Sequence, residues 1–349
     1  MIYNKLIPFG FALTAVATTV TDMISRNPNT SSLNKLLQQL PEIASALDRA
    51  RSITVLAPSN AAFDAFLRTN AGAAAASQPD VIANLLNYHV LTSTYMASNF
   101  SNVPVFPRTL LTNSSYTSLR EGQRVKIEAA NNSVTVTSGL LNTSCVVTPD
   151  ITASNGVIHI IDSVLTIPVS ITATAIVAHL DNLVGALRKA DLDDTVNDLP
   201  KTTIFAPSDA AFSNASRSLT RLSDGRLKEL LKYHVLSKVK YSTDLADESD
   251  VENINGKEIH IEKDNYMIEV NSANVISSDV LVSNGVVHVI DEVLSVNSDN
   301  DHKHDHDGHD HDHDDDDDDR HSAAGPGAKI SKHDVIALGT FILAQLFAL

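Results

Sequence analysis

The chain has 349 residues, and its 26 basic and 42 acidic residues give a formal net charge of −16. This acidity argues against a nucleic-acid-binding protein, which needs a basic surface to displace counterions. A hydrophobic content of 43% excludes a wholly disordered chain, and a single cysteine excludes an intrachain disulfide framework and a zinc site built from several cysteines.

The N-terminal segment has the features of a secretory signal peptide. Residues 6–20 form an uncharged, mainly apolar run after Lys5, and small residues precede a cleavage point near Ala17. A membrane-spanning helix is the alternative, but the run is shorter than the ~20 residues that a bilayer requires and contains Pro8. We therefore predict that residues 1–17 are removed during secretion.

The middle of the chain is an internal duplication. Three sequence blocks occur twice in the same order, with seven of ten, six of seven and eight of eleven positions identical. The pairs are TVLAPSNAAF (54–63) and TIFAPSDAAF (203–212), LLNYHVL (85–91) and LLKYHVL (230–236), and NGVIHIIDSVL (155–165) and NGVVHVIDEVL (284–294). Each copy is too long for a solenoid repeat, so we predict two domains, at residues 22–168 and 171–296.

Helices and one strand are predicted in the first half of each copy. In the first block, a strand over residues 53–56 ends at Pro58, and Ser59 or Ser208 would cap the helix that follows. Pro41 marks the start of a helix. Apolar residues at helical spacing predict a further helix ahead of each first block: Leu33, Leu36, Leu37 and Leu40 in the first copy, and Ile176, Leu180, Leu183, Val184 and Leu187 in the second.

Strands dominate the second half of each copy. Apolar and polar residues alternate around Ile127 and Val136, and again around Ile261 and Val270, which is typical of half-buried strands. Asn255-Gly256 predicts a hairpin turn. After a similar Asn-Gly pair, the nearly continuous apolar run of the last block predicts a strand buried on both faces. The fold class is therefore α+β, with helices followed by mainly antiparallel strands.

The three blocks resemble the fasciclin-like domain family. Its members have a first block similar to T-x-F-A-P-S-N-x-A-F, a central Tyr-His segment and a final block similar to N-G-V-x-H-x-I-D. The first copy departs in Leu56, where the family usually has Phe, and the second is shorter by 16 residues between its middle and last blocks. The resemblance implies two β-wedge sandwich domains with helices packed at one side. It also implies a cell-surface protein that acts in adhesion.

The Tyr-His segment is the binding candidate that the resemblance supplies. In animal matrix relatives this segment is implicated in integrin binding, which makes Tyr88, His89, Tyr233 and His234 candidate binding residues. The alternative is that the aromatic ring packs in the core and its polar tip finds an internal partner. The partner itself would be a cell-surface, matrix or wall protein, a glycan, or another copy of the chain.

No catalytic site is predicted. His159 and Asp162, like His288 and Asp291, are three residues apart, which places them on opposite faces of a strand and gives no ready dyad. We expect a hydrogen-bonded core histidine and an aspartate that orders the following turn. The domains also lack the nucleophile-elbow, zinc-protease, phosphate-loop and dinucleotide signatures, so we predict a protein that is not an enzyme.

A His/Asp-rich segment follows the second domain. Residues 299–319 contain 12 Asp and one Lys, so most of the net charge lies in this segment. Its crowded imidazoles and carboxylates suit Zn, Ni or Cu, whereas the alternative is a self-repelling spacer over residues 297–321. The candidate metal ligands are His302, His304, His306, His309, His311 and His313, and no other cofactor is predicted.

The C-terminus predicts a glycosylphosphatidylinositol (GPI) anchor. An uncharged apolar tail at residues 335–349 follows a polar spacer and a group of small residues that includes Ser322. Residues 322–349 form the signal, with the lipid attached at Ser322 and the tail removed. A tail-anchored helix is the alternative, and the N-terminal signal argues against it.

The proline content bears on the source of the protein. Only 12 prolines occur, which favours a fungal over a plant source, because plant relatives often carry long proline-rich stretches.

The secretory route gives meaning to the glycosylation sequons. Six asparagines head an Asn-x-Ser/Thr motif: Asn29, Asn99, Asn113, Asn131, Asn142 and Asn214. Cys145 has two interpretations, a small buried apolar residue or one half of an intermolecular disulfide.

Overall fold

The computed structural model describes residues 18–131, 133–245, 249–264 and 267–295. The predicted signal peptide, the His/Asp-rich spacer and the anchor signal therefore lie outside the described residues, as do His302, His304, His306, His309, His311, His313 and Ser322. The chain folds into two compact units. The first contains residues up to Leu111, Gly122–Ser138 and Asn142–Thr166, and the second contains Thr112–Glu121, Gly139–Leu141 and residues from Ile167 onward.

Helices occupy most of the first half of the first unit, and strands occupy most of its second half. Ser59 caps α4, because its Oγ accepts a hydrogen bond from the Ala62 amide at 3.2 Å, and Pro41 opens α3 as predicted. The helices are α1 (Val20–Arg26), α2 (Ser31–Gln39), α3 (Pro41–Arg49), α4 (Asn60–Arg68), α5 (Asn70–Ala76) and α6 (Pro79–Tyr88). The strands are β1 (Ile53–Pro58), β2 (Val90–Leu91), β3 (Lys126–Ala130), β4 (Ser133–Thr137), β5 (Thr143–Ala153) and β6 (Gly156–Ile161).

The second unit repeats this order with five helices and seven strands among its described residues. Ser208 caps α10 as Ser59 caps α4, with an Oγ to Ala211 amide distance of 3.2 Å. The helices are α7 (Ile171–Val177), α8 (Asp181–Lys189), α9 (Asp193–Asp198), α10 (Asp209–Leu219) and α11 (Asp224–Tyr233). The strands are β7 (Thr202–Pro207), β8 (Val235–Leu236), β9 (Ser249–Glu252), β10 (Glu258–Lys263), β11 (Ile268–Val270), β12 (Ala273–Val282) and β13 (Gly285–Ile290).

Each unit has one sheet in which the first and last blocks of the repeat pair side by side. The strand orders are β2-β1-β6-β5-β4-β3 and β8-β7-β13-β12-β11-β10-β9. β1 and β6 are parallel, as are β7 and β13, and the other named strand pairs are antiparallel. The predicted α+β class with mainly antiparallel strands is confirmed.

The longest strand of each sheet carries bulges. β5 pairs with β4 near Cys145 and with β6 from Val146 onward, and its register with β6 shifts twice. β12 shifts twice against β13 in the same way. Bulges bend a strand and increase its twist, so each sheet curls. We call the strands on the far side of the bulged strand the ribbon: β4 and β3 in the first unit, and β11, β10 and β9 in the second.

The central strands are buried along their whole length because they face two cores. In β7, Ile204 and Ala206 pack with the helices, whereas Phe205 packs with Ile259 and Ile261 inside the curled ribbon. All six residues of β7 and all six of β13 are buried. The predicted strand buried on both faces is therefore confirmed.

Two local features differ from the sequence expectation. The apolar spacing from Ile176 to Leu187 predicts one helix, but α7 ends at Val177 and α8 begins at Asp181. His179 lies between them with a φ of 55°, a left-handed conformation that ends a helix. The second difference is the strand β9, which the sequence did not predict. Its one apolar residue, Val251, gives no alternating pattern.

Candidate functional site

The tyrosine of each Tyr-His pair lies at the end of a helix and is buried. Tyr88 ends α6 and Tyr233 ends α11. The Tyr88 hydroxyl donates to the Arg124 carbonyl oxygen at 3.0 Å, and the Tyr233 hydroxyl donates to the Glu258 carbonyl oxygen at 3.0 Å. Each hydroxyl therefore links a helix end to the start of β10 or to the segment just ahead of β3.

The histidine of each pair connects its helix to the segment that follows the last strand. His89 Nδ1 lies 2.7 Å from the Leu85 carbonyl oxygen, and its Nε2 accepts from the Leu165 amide at 2.9 Å. In the second unit, the equivalent contacts of His234 are the Leu230 carbonyl at 2.8 Å and the Leu294 amide at 2.9 Å. Since a backbone amide can only donate, Nε2 accepts and Nδ1 carries the proton.

This geometry keeps both imidazoles neutral. Burial lowers the pKa of His89 to about 4 and that of His234 to about 4, against an ordinary value of 6.5. The hydrogen bond from Nδ1 to a helix carbonyl offsets a smaller part of that effect. The cavity beside His89 measures about 10 Å³, which is too small for a ligand.

The four candidate binding residues therefore offer a partner no accessible side chain in this conformation. Tyr88 is 0% exposed, and His89, Tyr233 and His234 are at most 5% exposed. Their polar atoms already bond to backbone groups of the same unit. The geometry supports the alternative interpretation, in which the pair organises the core.

His159 and His288 are also internal. Their Nε2 atoms lie 2.8 Å from the carbonyl oxygens of Tyr95 and Lys240. Their Nδ1 atoms accept from the amides of Asp150 at 3.1 Å and Asp279 at 3.4 Å, which are the bulged residues of β5 and β12. Burial lowers the pKa of His288, and the Asp279 carboxylate raises it to a lesser extent. The Asp150 and Asp279 carboxylates lie near these imidazoles, but both imidazoles are almost wholly buried.

The aspartates of the last block order the edge of the neighbouring strand. Asp162 accepts from the Cys145 amide at 2.8 Å through its carboxylate, and Asp291 accepts from the Asn274 amide at 2.7 Å. Both also donate their own amides back to the same residues at 3.1 Å. The histidines are hydrogen-bonded in the core, as expected. The aspartates were expected to order the turn after the strand, whereas the contacts found join them to the neighbouring strand.

Sequence reasoning missed the bulge aspartates. Asp150 and Asp279 adopt φ values of 60° and 64°, and their carboxylates accept from the amides of Ala97 at 2.8 Å and Ser242 at 2.7 Å. Left-handed backbone favours Asp and Asn among residues with a side chain. The signal was present in the repeat, because an aspartate precedes the last-block histidine by nine residues in both copies.

The ribbon of the second unit has an exposed, mostly acidic outer face. His260 lies on it with Nδ1 2.8 Å from the Asp250 carboxylate and Nε2 3.4 Å from the Glu262 carboxylate. The hydrogen bond to Asp250 is the largest of the effects that raise the pKa of His260. The equivalent face of the first unit carries Thr135 and Cys145, opposite each other on β4 and β5.

The remaining candidates are the sequon asparagines and Cys145. All six sequon asparagines are exposed. Cys145 is half-buried and free, which fits neither a fully buried apolar residue nor a fully exposed thiol. Among residues 18–295, as far as they are described, no group of three or more His, Cys, Asp or Glu side chains is arranged to hold a metal ion. No helix in the same ranges is long and apolar enough to cross a membrane.

Removing either buried hydroxyl should weaken the ribbon attachment. We expect Tyr88→Phe and Tyr233→Phe each to lower the unfolding free energy by about 1–2 kcal/mol, because a partly buried backbone carbonyl loses its donor. Denaturant unfolding followed by circular dichroism measures the change. Tyr95→Phe is the control, since no hydrogen bond to its hydroxyl is found among the described residues, and a loss as large as that of Tyr88→Phe would contradict the assignment.

A family profile and two curated relatives all name fasciclin proteins. The fasciclin domain profile matches residues 28–168 and 178–296. The chain is 32% identical over 292 residues to a fasciclin-like arabinogalactan protein of Arthroderma benhamiae, covering 83% of this chain and 69% of the relative. It is 28% identical over 296 residues to a fasciclin-like arabinogalactan protein of Phaeosphaeria nodorum, covering 84% and 92%.

An animal relative and a solved structure are more distant. Periostin of Homo sapiens is 29% identical over 255 residues, which cover 71% of this chain and 29% of periostin. The solved structure is a FAS1 domain pair from the insect cell adhesion molecule Fasciclin I, with 20% sequence identity and a TM-score of 0.38. That alignment covers 78% of this chain and 98% of the insect chain.

Proposed function

The chain belongs to the fasciclin domain family, and on that premise we propose that it is a cell-surface adhesion protein that acts by binding and not by catalysis. The observation that carries the proposal is the family match over both copies of the repeat. The named relatives include fasciclin-like arabinogalactan proteins. We retain residues 22–168 and 171–296 as the proposed domain bounds.

The internal contacts of the domains direct the proposed binding to their surfaces. The histidines His89, His159, His234 and His288 hold backbone groups in place within their units. The partner would then contact exposed surface and not these side chains. The proposed partners are cell-surface, matrix or wall proteins, glycans, or another copy of the chain.

An adhesion assay tests the proposal directly. Cells that lack the protein should aggregate less or attach less to a matrix or wall preparation, because they lose the binding surface. A soluble fragment of residues 22–298 added to unmodified cells should compete and reproduce the loss. Unchanged attachment on several surfaces, with and without the fragment, would count against adhesion.

We also propose that the protein reaches the surface by secretion and stays there through the GPI anchor at Ser322. A phosphatidylinositol-specific phospholipase should release it from intact cells, since that enzyme cleaves the lipid. A variant that ends before residue 322 should instead be found in the medium. Retention of the full protein after phospholipase treatment would contradict the anchor.

The exposed sequons support N-glycosylation at Asn29, Asn99, Asn113, Asn131, Asn142 and Asn214. Five of the six lie in the first copy of the repeat and one in the second. We therefore expect enzymatic removal of N-glycans to lower the mass of the first domain much more than that of the second. Mass spectrometry of the two separated by proteolysis measures this, and equal losses would contradict the expected distribution.

The second candidate function is metal binding at the surface through the His/Asp-rich tail. The observation that favours it is the density of imidazole and carboxylate groups, with six histidines between His302 and His313. Isothermal titration of Zn or Ni against the full and the tail-deleted protein distinguishes the candidates. Binding that is lost with the tail supports this function, and binding no stronger than about millimolar identifies a spacer.

A further inference from the structure

The chain contains three Asn-Gly pairs in described regions, and they differ in how firmly the asparagine is held. Asn155 and Asn284 precede the strands β6 and β13, where they occupy equivalent positions. Asn255 lies in the turn between β9 and β10, and its neighbour Gly256 is exposed. Asn-Gly is the sequence in which an asparagine side chain is most open to attack, because glycine has no Cβ to obstruct its own amide nitrogen.

The first two asparagines are held on several sides. The Asn155 amide nitrogen donates to the Leu47 and Ala50 carbonyl oxygens at 2.8 and 3.1 Å, and its Oδ1 accepts from the Val20 amide at 2.9 Å. Asn284 is 1% exposed, and its amide nitrogen lies within 3.3 Å of three carbonyl oxygens. Neither side chain can turn toward the following glycine nitrogen without breaking these bonds.

Asn255 is held much less. Among the described residues, its side-chain amide makes one hydrogen bond, from Nδ2 to the Glu229 carbonyl oxygen at 2.8 Å at the surface of α11. Gly256 has a φ of +73°, and its amide donates to the Asn253 carbonyl oxygen at 3.0 Å in the same turn. The buried Asn253 side chain also holds the turn, because its Oδ1 accepts from the Asn255 and Lys257 amides at 2.8 and 3.2 Å. The reacting groups are therefore released by opening this one turn, which lies beside the edge strand β9.

We propose that Asn255-Gly256 is a modification site at which the protein deamidates spontaneously. The Gly256 nitrogen forms a bond to Asn255 Cγ, the bond from Cγ to Nδ2 breaks, and ammonia leaves with the proton of the glycine amide. Water then opens the resulting cyclic imide at either carbonyl. The products are aspartate or isoaspartate at position 255, with one added negative charge.

The modification would loosen the turn from its helix. The new carboxylate cannot donate, so the hydrogen bond to the Glu229 carbonyl is lost and two acceptors face each other. The charge is also added beside a hairpin in which Glu252 and Glu258 lie directly opposite each other, and like charges in that position repel. Isoaspartate adds a further backbone atom to the turn.

Peptide mapping by mass spectrometry tests the proposal on the full-length protein. After incubation at neutral pH, we expect Asn255 to convert at least about ten times faster than Asn155 or Asn284, equivalent to about 1.4 kcal/mol of extra opening free energy at the latter two. In urea the three rates should converge, because the difference comes from the fold. Slower or equal conversion at Asn255 in the native protein would overturn the proposal.

Two variants test the structural consequence. Asn255→Asp reproduces the charged product, and Asn255→Ala removes the donor without adding charge. Hydrogen exchange of the amides of the turn, measured by mass spectrometry, should accelerate in both variants and more in Asn255→Asp. Unchanged exchange in Asn255→Asp would show that deamidation leaves the turn in place, which would contradict the second part of the proposal.

Discussion

Replacing Gly285 with alanine should lower the unfolding free energy of the second domain by about 4 kcal/mol or more. A Cβ at this position would lie 1.8 Å from the Thr202 carbonyl oxygen, which belongs to the adjacent parallel strand. Neither backbone can move away without breaking the register of β7 and β13 in the centre of the sheet. Because a domain is stable by only about 5–15 kcal/mol, this single methyl group would remove much of that margin.

Denaturant unfolding gives the free energy, and the chain offers two comparisons. Gly156→Ala is the equivalent change in the first domain, where the Cβ would lie 2.2 Å from the Ile53 carbonyl oxygen, so we expect a similar loss there. Gly185→Ala, in the middle of α8, meets no atom within 4 Å and should stabilise the helix by about 0.5–1 kcal/mol. A change below about 0.5 kcal/mol in Gly285→Ala would contradict the packing of these strands.

Acidification should destabilise both domains through their buried histidines. The pKa of His89 and of His234 is about 4 in the folded protein and 6.5 in the unfolded chain. Between these values the unfolded chain binds more protons, so stability is full above pH 6.5 and is lost as the pH falls toward 4. Complete protonation corresponds to about 3 kcal/mol for each of these two histidines.

The second domain contains two further histidines with shifted pKa values, and they act in opposite directions. One is His288, whose pKa is lowered in the same direction as that of His234 by burial. His260 acts in the opposite direction, because its raised pKa adds stability that is present below pH 6.5 and is lost as the pH rises through its folded value. It is an exposed residue, and we expect the buried histidines to dominate.

Denaturant unfolding at intervals between pH 7 and 4 measures this effect. His234→Gln should lower stability at pH 7 but remove about 1.4 kcal/mol per pH unit from the slope near pH 5. The unsubstituted protein is the comparison. A slope in His234→Gln that equals the slope of the unsubstituted protein would show that His234 does not control the acid response.

The repeat made most of the fold predictable. Strands and helices that carry a regular apolar pattern, such as β6 and α2, lie where periodicity and capping residues place them. The break at His179 was not predictable from apolar spacing, because Leu180 and Leu183 continue the pattern after the chain has turned. β9 was not predictable either, because a short edge strand with one apolar residue has no periodic signal.

The candidate site shows what a single sequence cannot supply. The Tyr-His pairs stand out in the sequence, but their partners lie far along the chain. Arg124 is 36 residues from Tyr88, and Leu165 is 76 residues from His89. Whether such a pair meets a partner protein or its own backbone depends on how the whole domain packs, and only the structure supplies that.

The parallel pairing of β1 with β6 has a mechanical consequence. β1 is the first strand of its unit and β6 the last, and they lie side by side in the same direction. A pull on the chain ahead of β1 and behind β6 draws the two strands in opposite directions along their shared axis. The hydrogen bonds between them are then loaded together in shear, and not opened one at a time. β7 and β13 repeat this geometry, so each unit resists stretching at its most buried strands.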